Sequence, residues 1–74
     1  MPSIDYTGRF YARGVCTDKG ARGALGFPVK AARASTARRF ADKEILDMLP
    51  GWERGTVVLL KDGKRVDSWI LIRQ

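Results

Sequence analysis

Apolar and polar residues alternate along Tyr6-Thr7-Gly8-Arg9-Phe10-Tyr11-Ala12-Arg13-Gly14-Val15, with Phe10 and Ala12 on one side and Arg9, Tyr11 and Arg13 on the other. That period of two predicts a half-buried strand whose open face is basic and aromatic. Thr17-Asp18-Lys19-Gly20-Ala21-Arg22-Gly23 gathers turn formers, glycines and positive charge, and predicts a hairpin loop. A second strand is expected over Leu25 to Ala31, with Phe27, Val29 and Ala31 in register. Pro28 has no N–H to give a ladder, so this strand should lie at an edge or begin after the proline.

The period then changes to that of a helix. Ser35 is a suitable N-cap for a helix over Thr36 to Leu49, with Ala37, Phe40, Ala41, Ile45, Met48 and Leu49 at helical spacing and Pro50-Gly51 as the stop. Glu44 falls inside the apolar arc, so the regular helix either ends near Lys43, with a separate turn after it, or runs on to Leu49.

Two β-rich runs flank Asp62-Gly63, the preferred pair of a type I′ turn, and predict a hairpin with Lys61 opposite Lys64. Simple pairing puts Val57, Leu59, Val66, Ile70 and Ile72 on the face under the helix. Val58, Leu60, Arg65, Trp69, Leu71 and Arg73 then fall on the other. The element order is β-β-α-β-β. It predicts an α+β fold with a short antiparallel sheet and one helix packed on one face, formed by residues 1–74 as a single domain.

Composition changes this picture mainly through charge and through what is missing. A domain of 74 residues buries only about 60% of its unfolded surface, which leaves no room for a deep catalytic cavity. A single cysteine, Cys16, and no histidine deny the chain an internal disulfide, a zinc or iron site, and an imidazole base beside a nucleophile. Cys16 itself reads as a small core residue. The glycines form neither a dinucleotide-binding nor a Walker pattern. No metal, cofactor or enzymatic activity is therefore expected. No stretch approaches the ~18 apolar residues of a membrane span, and the first residues carry no apolar leader segment, which predicts a soluble, cytoplasmic protein. Lys and Arg number 14 against 8 Asp and Glu, a formal net charge of +6, so a polyanionic partner is expected.

The cations group in three places. Arg38, Arg39 and Lys43 project from the helix away from the Ala37/Phe40/Ala41 stripe; a solvated face with Arg38–Asp42 and Lys43–Asp47 pairs is the alternative. The basic loop Lys19 to Arg22, with Lys30 and Arg33 nearby, either serves solubility or tracks phosphates, and Lys30 and Arg33 count with the helix set as candidate partner contacts. On the sheet's open face Arg9, Tyr11, Arg13, Arg65, Trp69 and Arg73 form a basic surface interleaved with rings, suited to single-stranded nucleic acid. The apolar outer positions equally suit a homodimer.

The stretch Gly26-Phe27-Pro28-Val29-Lys30-Ala31-Ala32-Arg33-Ala34-Ser35-Thr36-Ala37-Arg38-Arg39-Phe40-Ala41-Asp42-Lys43-Glu44, followed by Gly55-Thr56-Val57, resembles a small phage-encoded type I-F anti-CRISPR family. The resemblance implies the same β-β-α-β-β order and a non-enzymatic inhibitor acting in the cytoplasm of a bacterial host. Such an inhibitor settles on the Cas7 backbone subunits of a CRISPR surveillance complex, in some members also holding DNA, and prevents target DNA from pairing with the guide. It places Arg38, Arg39 and Lys43 at the family's basic contact positions and Ala37, Phe40 and Ala41 in its helix core. The segment from Ile45 to Arg54, with Trp52, is longer than the family's helix-to-strand connection, and Lys30 stands where an acidic residue is usual.

Overall fold

The structure is a computed structural model that describes residues 8–17 and 24–74. Strands β1 (Gly8–Cys16) and β2 (Ala24–Ala31) pair antiparallel, α1 (Ala34–Met48) follows, and β3 (Arg54–Lys61) and β4 (Lys64–Ile72) close a sheet in the order β2-β1-β3-β4. This is the expected α+β architecture. The proposed loop lies, beyond Thr17, outside the described residues.

Pro28 sits within β2, and β2 is an edge strand, so its missing donor costs the sheet nothing. Asp62 (φ 54°) and Gly63 (φ 78°) both take positive φ, as a type I′ turn requires, and Lys61 pairs with Lys64. One face of β1 carries Phe10, Ala12 and Cys16 into the core, where Val29, Ala31, Val57 and Leu59 join them.

The helix lies over that face on small residues. Ala37, Ala41 and Ile45 are fully buried, and the two alanines let the backbone come close to the sheet. The regular helix runs past Lys43 to Met48. It stops at Leu49 (φ −122°, ψ 84°), because the residue before a proline is driven out of the helical region. Ser35 is not the N-cap. Arg33, in extended conformation, holds that position, its carbonyl accepts from Ala37 N–H at 3.0 Å, and its own side chain makes no capping hydrogen bond. Phe40 is not a core residue either: it is 51% exposed, rotated to the rim where Phe27, Pro28, Val29, Lys30 and Glu44 border a shallow groove along β2. Met48 is likewise exposed.

The largest departure from simple alternation is a β-bulge. Leu60 pairs with Arg65 but Leu59 pairs with Asp67, so Val66 is an extra residue opposite the Leu59/Leu60 step. Everything beyond it changes face. Trp69 and Leu71 are buried under the helix, whereas Val66, Ile70 and Ile72 are exposed, the reverse of the expected assignment.

The segment between α1 and β3 supplies a core residue. Trp52 is 1% exposed, and its indole Nε1–H donates to the Leu71 carbonyl at 3.1 Å. The indole occupies the space a side chain at Gly55 would take, since a Cβ there would fall 2.6 Å from Trp52 Cζ2.

Candidate functional site

The helix cations divide on inspection of their neighbours. Arg38 Nη1 lies 3.7 Å from Asp67 Oδ2, and its guanidinium carbon stands 4.6 Å from the centroid of the Trp69 ring. Trp69 Nε1–H in turn donates to Asp42 Oδ1 at 2.7 Å. In place of the Arg38–Asp42 pair of the alternative reading stand two links from helix to β4, which follow from the bulge that brings Asp67 and Trp69 to this side. Arg38 thus links α1 to β4 while its side chain stays 45% exposed. Arg39 and Lys43, an i, i+4 pair on the side of α1 turned from the sheet, are exposed and form no salt bridge among the described residues.

Arg33 is exposed at the helix start, but Lys30 does not join this group. It alternates with the buried Val29 and Ala31 and pairs with Arg9, which places it on the sheet's outer face.

That outer face is the second candidate surface, and no described element covers it. Its rows follow from the register. Arg9 stands beside Lys30; Tyr11 lies between Pro28 and Leu60, with Arg65 beyond Leu60; Arg13 lies between Gly26 and Val58. Val15 lies between Ala24 and Thr56, with Ile70 beyond, and Arg54 pairs with Ile72 at the far end. No Asp or Glu occupies this face among the described residues.

Trp69 and Arg73, both expected here, belong to the opposite side. Trp69 is 8% exposed beneath the helix. Arg73 Nε–H donates to the Trp52 carbonyl at 2.7 Å, and Nη2–H to the carbonyls of Leu46 at 2.8 Å and Leu49 at 2.9 Å. It thereby brings a cation to the last helical carbonyls, a place that the helix's own last turn leaves without a basic residue.

Tyr11 keeps its place on the outer face, 44% exposed. Its ring leans over the gap at Gly26: a Cβ on that glycine would lie 2.7 Å from the hydroxyl oxygen and 3.0 Å from Cε2. Ala24, Leu25 and Gly26 with Tyr11, Arg13, Gly14 and Val15 border an open hollow of about 290 Å³ beside it. The signal for this seat is in the sequence, in the small residues at positions 24 and 26 facing a strand with an outward tyrosine, but it becomes legible only with the β1–β2 register.

The described residues contain no group of three or more His, Cys, Asp or Glu able to hold a metal ion. No described helix is long and apolar enough to cross a membrane. No protein-family model matches the chain, and neither do any curated protein or any solved structure.

Proposed function

We propose that this protein is a non-enzymatic inhibitor that occupies a CRISPR surveillance complex and keeps target DNA from pairing with the guide. The observation that carries this reading is the exposure of Arg39 and Lys43, one helical turn apart on the outer side of α1, at positions the resemblance assigns to partner contact. Cations held on a stiff helix suit acidic patches or guide phosphates on a nucleoprotein surface. Arg38 is a link from α1 to β4 in this reading and contributes through helix placement.

The test is a mobility-shift assay in which a purified type I-F surveillance complex meets the protein before target DNA. The wild type should block DNA binding. Reversing both charges, Arg39→Glu with Lys43→Glu, should weaken the block by about tenfold or more while the circular dichroism spectrum is unchanged. Full inhibition by the reversed variant, or no association of the wild type with the complex, overturns the reading.

A second reading is direct nucleic-acid binding by the sheet's outer face. It is favoured by one specific observation: Arg9, Arg13, Lys30 and Arg65 share that face without an intervening carboxylate among the described residues. Uncompensated cations on one surface are the electrostatic footprint of a polyanion site.

A further inference from the structure

Resting on that second reading, we infer that Tyr11 and its flanking arginines form a site for single-stranded nucleic acid, with an unpaired base stacked on the tyrosine ring at the Gly26 gap. Three features converge on this class of ligand. The ring lies across β2 at Gly26, in the space that only a residue without a side chain leaves. A preplaced ring loses little freedom when a base stacks on it. At the strand's rise per residue, Arg9 and Arg13 lie about 7 Å to either side of Tyr11 on the same face, so phosphates flanking a stacked base meet a cation in both directions. Lys30 extends the track across β2 at the Arg9 end, and Arg65 extends it across β4 in the Tyr11 row.

Charge and shape together select the single strand. A duplex offers phosphates but keeps its bases stacked and out of reach of a ring lying on a flat sheet, whereas a single strand offers both. The open hollow between Tyr11, Arg13 and Ala24–Gly26 gives room beside the ring for the base edge. A second copy of this chain is a poorer occupant of this half of the face, because the described residues of a like surface would bring more arginine and no carboxylate to meet Arg9, Arg13 and Arg65.

Fluorescence anisotropy on the full chain, with a short labelled oligothymidylate and a mixed-sequence duplex of equal length, tests the site. The single strand should bind more tightly, with a log-log salt slope of about −0.7 per phosphate contacted. Tyr11→Ala should weaken it by about fivefold to a hundredfold, and Tyr11→Phe should keep it within about twofold, because the ring and not the hydroxyl carries the stack. Arg13→Glu, on the exposed side of the same strand, supplies an independent loss should Tyr11→Ala unfold. Arg39→Glu with Lys43→Glu should leave oligonucleotide binding unchanged, which separates this site from the helix reading. Equal affinity for duplex and single strand with no effect of Tyr11→Ala would retain the charged face as a general polyanion surface but overturn the stacking site. No binding of either oligonucleotide overturns both. A dimer in sedimentation that Arg13→Glu dissociates, without oligonucleotide binding, shows the face covered by a second copy and also overturns the site.

Discussion

The two sides of the sheet solve opposite problems with similar residues. On the helix side several charges find partners within the fold: Arg38 meets Asp67 and Trp69, Asp42 accepts from Trp69, and Arg73 closes on three main-chain carbonyls, while Arg39 and Lys43 stay exposed. Across α1 three basic residues stand with three acidic ones, so the helix is nearly neutral as a whole despite its Arg38-Arg39 pair. On the outer side Arg9, Arg13, Lys30 and Arg65 meet no carboxylate of their own face among the described residues. Charge density along the chain therefore shows only part of the field. The dense run on the helix is offset in sum by the helix's own acids although Arg39 and Lys43 stand exposed, and the sparse, alternating arginines of the strands add up once the strands align.

The covered side should be where substitutions cost most, and Trp52→Ala is expected to have the largest effect. Removing a fully buried indole leaves a cavity over Gly14 and Gly55 and removes the hydrogen bond to the Leu71 carbonyl, at a cost of about 3–5 kcal/mol. That is much of the total for a domain of this size, roughly 4–11 kcal/mol. Chemical denaturation should show a collapse of the midpoint. A loss under about 1 kcal/mol would mean that the helix side is not the organising core, and the contrast between the two sides would fail.

Arg73→Ala comes next, at about 1–3 kcal/mol, because three partly buried carbonyls lose a charged donor together. Arg73→Lys should recover little of this, since an ammonium cannot reproduce the planar fork that spans the Leu46, Leu49 and Trp52 oxygens. Thermal melts of the two variants decide the matter: if lysine restores the wild-type midpoint, the residue acts as a point charge at the helix end and the directional bonds count for little.

How far these roles were legible follows from particular residues. The alternation of β1, the edge position forced by Pro28 and the Asp62-Gly63 turn each rest on a local rule, and each holds. The faces of β4 do not rest on such a rule. Trp69-Ile70-Leu71-Ile72 is apolar in both parities, so the pattern cannot say which pair faces inward, and the bulge at Val66 that decides it has no marker such as glycine. The same slip moved Trp69 and Arg73 off the outer surface and brought Asp67 beneath Arg38. Trp52 sits in a connection with no periodicity, so its burial depends on contacts with Gly55 and Leu71 that are far along the chain or set by the fold. Ser35 was a sound cap by residue type, yet the helix begins at Ala34, whose side chain packs on the core, and residue type yields to that packing.

The smallest expected effect sharpens the contrast most. Ile70 is 57% exposed and Ile72 51%, both on the outer side beyond Val15 and away from Tyr11. Solvated positions of this kind tolerate polar replacement, so Ile70→Ser and Ile72→Ser should each change stability by less than about 0.5 kcal/mol and leave the sedimentation mass unaltered. Oligonucleotide affinity should also stay within about twofold, because neither residue lies in the rows that carry Arg9, Tyr11 and Arg13. A larger loss of stability that grows on dilution would reveal a partner copy over the apolar end. The outer face would then be divided: a self-association surface at Ile70 and Ile72, with the cationic half around Tyr11 still open to a polyanion. An unchanged mass with intact binding instead confines the interface to the Arg9–Arg13 half, where charge and ring coincide.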